Sequence, residues 1–236
     1  MEDTKIMSLN KTKTDPALGR KIHEHLVACG VETPGVGNPL KFNDRKAQIE
    51  YIESKFTDIM SALGLDLTDD SLEETPKRVA KMLVGETMWG LEIDSFPKCT
   101  TVQNKMGYDE MVIEKAITVK SNCEHHFLPI VGNAYIAYIP KSKVLGLSKM
   151  PRIVEYFSRR PQIQERLTEQ IFHALRLILE TDNIAVMIDA EHMCVSQRGV
   201  EDTSASTITS KLGGCFKTEP AVRAEFMNLV TSNKKT

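Results

Sequence analysis

The chain has 236 residues, a formal net charge of -2 and 41% hydrophobic residues, enough for one core of ordinary size or a core domain with a smaller helical annex. That balance argues against a polybasic surface for nucleic acid or an anionic membrane, and no apolar run approaches the roughly 20 residues that span a bilayer. The polar start MEDTKIMSLNKTKTD lacks a signal peptide's apolar stretch, so the expected compartment is the cytoplasm, where cysteines stay reduced and serve as buried, metal-binding or catalytic groups.

Residues 1–14 are expected to form a disordered tail. Asp15-Pro16 reads as a helix start, with Asp as N-cap and Pro in the first turn. Leu18, Ile22, Leu26 and Cys29 follow at helical spacing, and Gly30 supplies the stop. VETPGVGNPLKF is a connector. A second helix runs from about Asp44 to Leu63, with Ile49, Ile52, Phe56, Ile59, Met60 and Leu63 forming one apolar stripe. Thr75-Pro76 repeats the cap-then-proline signal, and Val79, Met82, Leu83 and Leu91 mark a third helix with Arg78 near its start.

The texture then changes. EMVIEKAITVK (110–120) and NAYIAYIP (133–140) read as neighbouring antiparallel strands. Gly146-Leu147-Ser148 leads into a helix with Ile153, Tyr156 and Phe157 on one face, which Pro161 ends. A longer helix follows through Ile163, Leu167, Ile171, Leu175 and Ile178. NIAVMIDAEHMCVS returns to strand texture, a last strand is expected near Thr203 to Leu212, and Ala221 to Val230 closes the chain as a helix. This order predicts an α+β fold with an antiparallel sheet.

Between the first two strands lies SNCEHHFLPI, in which Cys123, Glu124, His125 and His126 can each bind a metal or move a proton. Cys-x-x-His suits one ion, because a turn brings residues i and i+3 together, and thiolate with imidazole suits zinc. On a strand, His192 and Cys194 share a face with Ile184, Val186 and Ile188. Cys123, His126 and Cys194 would make three ligands with an open fourth position, the arrangement of a catalytic zinc. His125 and His192 are then left for proton transfer. Spacing alone does not choose between His125 and His126 as ligand, and a closed structural site using both is the alternative. Cys29, Cys99 and Cys215 read as small buried hydrophobes, and His23, His25 and His173 as structural or surface residues.

LGLSKMPRIVEYF offers Ser148 as N-cap and Lys149 and Arg152 in the first helical turn. Positive charge there opposes the helix dipole. Free amides, a hydroxyl and two cations make a phosphate site, the alternative being a solvated cap. Arg198 lies four residues beyond Cys194, within reach of the same ligand. Gln164 and Glu165 suit an amide-and-amine edge such as guanine, or form an ordinary polar helix start.

On ETPKRVAKM, SNCEHHFLPI, YIPKSKVLGLSKMPRIVEYFSRRPQIQERLTEQI and HMCVSQRGVEDTSAS, the chain resembles the GTP cyclohydrolase I family from about residue 18 to its end. The resemblance implies a helical N-terminal region (15–95) and a catalytic domain (96–236) of the tunnelling fold, a four-stranded antiparallel sheet with two helices on one face. It implies sheets closed into a five-subunit barrel, with two rings stacked into a homodecamer, which removes exposed sheet edges. It further implies Zn2+ on Cys123, His126 and Cys194, with His125 and His192 catalytic. Glu165 with Gln164 would hold guanine; Ser148, Lys149, Arg152 and Arg198 would hold triphosphate and ribose, with Ser148 a candidate helper in catalysis. Arg78 would reach a phosphate from a neighbouring subunit. The implied reaction takes GTP and water to formate and 7,8-dihydroneopterin triphosphate, the first step of tetrahydrofolate and pterin biosynthesis.

Overall fold

The computed structural model describes residues 13–35 and 40–232. Both aspartate caps form where the sequence places them. Asp15 accepts a hydrogen bond from the Leu18 amide at 3.0 Å and starts α1 (Pro16–Ala28). Asp44 accepts from the Ala47 amide at 2.8 Å and starts α2 (Arg45–Ala62). Each bond satisfies one of the orphan donors of a first turn. Gly30, at φ +70°, takes the left-handed conformation that follows α1.

Residues 1–12 of the expected tail lie outside the described residues, but Thr14 pairs with Pro97, and the Lys98 amide donates to the Lys13 carbonyl at 2.8 Å. Thr75 is the first residue of α3 (Thr75–Met82), not its cap, and Glu74 before it makes no capping bond. The third helix does not continue to Leu91. It widens into one π turn (Leu83–Thr87) and breaks into two 3-10 turns (Trp89–Leu91 and Ile93–Ser95). The cause is tertiary: the Gly90 amide donates to the Arg159 carbonyl at 2.8 Å, and a Cβ at Gly90 would stand 2.1 Å from the Tyr156 carbonyl. Of the apolar stripe on α2, only Met60 is buried, while Ile59 and Leu63 are exposed.

Strands β1 (Thr101–Gln103) and β4 (Lys143–Leu145) form a small antiparallel pair. The main sheet has the order β5-β2-β3-β6-β7. Its four antiparallel strands are β2 (Val112–Cys123), β3 (Pro129–Tyr138), β6 (Ile184–His192) and β7 (Thr207–Leu212). The two-residue β5 (Pro161–Gln162) adds a parallel fifth beside the end of β2. Ile184, Val186, Ile188 and Ala190 of β6 face a core filled from α4 (Lys149–Ser158), α5 (Gln164–Leu179) and α1. The alternate residues Ala185 and Met187 face Phe216, Phe226 and Val230 of α7 (Cys215–Thr218) and α8 (Pro220–Thr231). Helices therefore cover both faces around β6, where two helices on one face were expected.

A buried cation ties the N-terminal region to this domain. Arg160 is 4% exposed, ion-paired to Glu32 at 2.8 Å and stacked on Tyr156 and Phe157. Removing one partner of a buried pair leaves the other uncompensated. Glu32→Ala is expected to cost about 3 kcal/mol, against about 1 kcal/mol for loss of the Asp15 cap in Asp15→Ala. Urea unfolding of both variants measures this; a smaller loss for Glu32→Ala than for Asp15→Ala would show that the pair is no anchor.

Candidate metal centre and nucleotide site

β2 ends at Cys123 and β3 begins at Pro129, with Asn122 paired to Pro129. The turn between them is closed by its own backbone. The Cys123 amide donates to the Leu128 carbonyl and the Phe127 amide to the Cys123 carbonyl, both at 2.8 Å. The Asn122 side-chain amide donates to the Phe127 carbonyl at 2.9 Å. Phe127 is left-handed at φ +56°, which costs a residue with a Cβ about 1–2 kcal/mol. From outside, the Glu124 amide donates to the Gln162 carbonyl at 3.0 Å, and Arg166 of α5 ion-pairs with the Glu124 carboxylate. The Arg166 hydrogen bond holds that carboxyl below its ordinary pKa. Glu124 is thus an anchor of the turn, which leaves His125 and His126 exposed.

The second half arrives on β6. His192 ends the strand opposite Ile130. The chain then enters a single helical turn, α6 (Met193–Ser196), so Cys194 is not a strand neighbour of His192 as expected. The turn brings it instead to the cluster: ligand atoms of Cys123, His126 and Cys194 all lie within 4.8 Å of one another. Metal bonds of about 2.0–2.3 Å to nitrogen and sulfur fit that span. Burial pushes the Cys194 thiol up, and the adjoining Cys123 thiol adds to the rise. A divalent cation would offset the repulsion between two thiolates, so the donor set fits zinc, which takes soft thiolate and imidazole. His125 Nδ1 lies 3.6 Å from Cys123 Sγ, and Arg198 Nη1 donates to His126 Nε2 at 2.9 Å.

α5 divides its first turn between two tasks. Gln164 is 1% exposed. Its amide nitrogen donates to the carbonyls of Ile188 (3.1 Å) and Thr207 (2.8 Å), which fixes its orientation and turns its oxygen to His192 Nε2 at 2.7 Å. An amide oxygen only accepts, so Nε2 carries the hydrogen and Nδ1 holds the free lone pair of the neutral ring. Burial lowers the His192 pKa, opposed by the charge of Glu165. Gln164, expected beside Glu165 as a guanine reader, has its hydrogen bonds engaged within the chain; Glu165 is exposed.

Ser148 occupies the cap position of α4 with helical angles (φ -63°, ψ -1°) and makes no side-chain cap bond. Its exposed hydroxyl does not cap the helix, contrary to expectation. Lys149 and Arg152 oppose the burial that pushes the Cys99 thiol up to about 12. The far end of α4 adjoins the metal cluster: the Ser121 hydroxyl donates to the Arg160 carbonyl at 3.3 Å, and β5 pairs with Cys123. Ten helical residues separate the ends by about 15 Å. Arg78 is exposed on α3, which packs against α2. The structure thus joins Cys123, His125, His126, Cys194, His192, Gln164 and Arg198, with Glu165 acting on His192, and holds the start of α4 apart. Sequence reasoning missed Gln162 and Arg166, whose partners in the turn are too distant in sequence to leave a spacing signal.

The family model described as GTP cyclohydrolase I matches residues 52–231. Curated relatives named GTP cyclohydrolase 1 include that of Edwardsiella ictaluri (strain 93-146), 54% identical over 209 residues, covering 89% of this chain and 94% of the relative. That of Vibrio vulnificus (strain YJ016) is 53% identical over 207 residues, covering 88% and 94%. That of Enterobacter sp. (strain 638) is 50% identical over 218 residues, covering 91% and 98%. A solved dihydroneopterin aldolase from Burkholderia thailendensis bound to guanine covers 47% of this chain and 97% of its own, at 14% identity and a TM-score of 0.30, too distant to bear on the fold. No helix among the described residues is long and apolar enough to cross a membrane.

Gln164→Leu frees His192 to turn and to change tautomer. Turnover is expected to fall on the order of 10²-fold, as for a misplaced catalytic group, with metal content and KM unchanged. A raised KM at unchanged kcat would assign the amide to substrate binding instead.

Proposed function

The chain belongs to the GTP cyclohydrolase I family, and on that premise we propose a zinc-dependent reaction that opens the guanine imidazole ring of GTP at C8, releases formate and yields 7,8-dihydroneopterin triphosphate. The observation that carries the zinc reading is the convergence of three ligand atoms from Cys123, His126 and Cys194 within 4.8 Å, beside His125 and His192. A zinc ion held there supplies Lewis acidity and lowers the pKa of a water to about 7.

The chain's own groups do the rest. The exposed Glu165 carboxylate accepts from the N1-H and 2-amino group of guanine, a charge-assisted pair. With Nε2 directed at Gln164, His192 exchanges protons through Nδ1. Its protonated form gives a proton to N7, which makes C8 more electrophilic toward water. Attack opens the imidazole ring, and a second hydrolysis releases formate. His125, 3.6 Å from Cys123 Sγ, is a second proton carrier, before the ribose rearranges and the pteridine ring closes. Arg198 holds the ribose-phosphate side. Ser148, with no capping bond to make, holds a phosphate oxygen or assists the sugar rearrangement, and Lys149 and Arg152 hold the triphosphate.

The separation of about 15 Å along α4 supports a site completed by a neighbouring copy of the chain, with Arg78 reaching a phosphate from another subunit. β7 is an edge strand of the main sheet, with Thr207 and Ile208 exposed. That edge supports closure of the sheets of five subunits into a barrel, with two such rings stacked into a homodecamer, because closure removes an edge that would otherwise pair at random. The proposed setting is the cytoplasm, at the entry to tetrahydrofolate and pterin synthesis.

Cys123→Ala, His126→Ala and Cys194→Ala should each lose the zinc of this site and turnover together, since three ligands leave no spare; a variant retaining both would show the wrong ligand was named. Glu165→Gln should weaken GTP binding and relax discrimination against ITP and ATP, whereas Arg198→Ala should weaken all three nucleotides about equally. A competition series measures both. Equal loss across the three nucleotides in Glu165→Gln would remove its guanine role.

A further inference from the structure

A second group of metal-ligating side chains lies where α1 meets α5. His25, in the last turn of α1, and Cys29, the residue that caps it with helical angles, stand four residues apart and hence on one face. Cys29, expected to be a buried hydrophobe, is exposed. Its sulfur lies 3.8 Å from His25 Nε2 and 3.6 Å from His173 Nδ1 on α5. Ligand atoms of the three residues all fall within 4.8 Å of one another. A tetrahedral ion with bonds of about 2.3 Å to sulfur and 2.0 Å to nitrogen sets those donors roughly 3.5 Å apart, so small side-chain rotations suffice to hold one.

The surroundings of His173 point the same way. Its other nitrogen, Nε2, lies 3.4 Å from Glu169 Oε2, one turn earlier on α5. The second oxygen of Glu169 accepts from Lys211 Nζ at 2.7 Å. A carboxylate behind one imidazole nitrogen and open coordination at the other is how metal-binding histidines are oriented. A carboxylate on that side favours the proton on Nε2, which leaves Nδ1, 3.6 Å from Cys29 Sγ, to bind an ion. An open cleft lined by His25, Lys141, Arg176 and Asp182 adjoins the cluster at His25. His173 is nine residues along α5 from Gln164, about 13 Å of helix, so the cluster is separate from the His192 end of that helix.

We propose that His25, Cys29 and His173 form a second metal site, specific for a zinc-class divalent ion, that clips α1 to α5. Two imidazoles and a thiolate suit such an ion over magnesium or calcium, and an ion bound only in the folded state stabilises it.

The test is metal content of the reduced, full-length protein, stripped with chelator and dialysed against Zn2+ alone. Two ions per chain are expected in the wild type, one in Cys29→Ala, one in Cys194→Ala and none in the double variant. His173→Ala should match Cys29→Ala. Loaded with Co2+ alone, Cys194→Ala should show a thiolate charge-transfer band that vanishes when His173→Ala is added. Because Cys29 lies outside the catalytic machinery and is exposed, Cys29→Ala should keep wild-type turnover. Equal zinc content in wild type and Cys29→Ala, or no zinc in Cys194→Ala, would overturn the proposal.

Discussion

Cys123 is held from both sides of one turn. Its amide and carbonyl are bonded within the loop to Leu128 and Phe127, and its outer flank pairs with Gln162 of β5. Cys123, His125 and His126 therefore sit on a tightly bonded turn of the sheet. The left-handed Phe127 is a conformation that survives only where its surroundings over-determine it, and here three hydrogen bonds and the Arg166–Glu124 pair do so. The β3–β6 register then carries this precision to the other half: Ile130, just past the turn, is opposite His192. Both halves of the metal centre are set by one ladder of strands.

The helices add direction. Successive helical residues point about 100° apart, as 3.6 residues per turn requires. Gln164 consequently faces inward to fix His192, while Glu165 faces out and is exposed. One turn of α5 thus both orients His192 and leaves the Glu165 carboxylate exposed, as the proposed base reader requires. α4 has a different geometry: its last turn adjoins the metal centre, and its cationic first turn is a helix-length away. A single chain holds these two groups of side chains a helix-length apart, so the proposed nucleotide site calls on a neighbouring copy to join them.

Local features were legible in the sequence. The Asp15 and Asp44 caps, the apolar strand texture of β6 and the Cys-x-x-His spacing at 123–126 depend on neighbours a few residues apart. What escaped was set by distant partners. The third helix breaks because Gly90 packs against Tyr156 and Arg159, Cys194 is turned in by α6, and Gln164 is bound by residues 24 to 45 positions away. His25 and Cys29 look unremarkable until His173, 144 positions from Cys29, is folded onto them. The exposed apolar stripe of α2 shows the reverse: helical periodicity identified the helix but not what, if anything, would cover it.

The central claim is that chemistry at C8 of guanine needs the Cys123–His126–Cys194 centre specifically. GTP labelled with 13C at C8, followed by NMR, tests this directly. Wild-type protein should release one equivalent of 13C-formate per GTP consumed, and zinc-loaded Cys194→Ala should release none while still carrying zinc at His25, Cys29 and His173. Formate from Cys194→Ala at the wild-type rate would contradict the account.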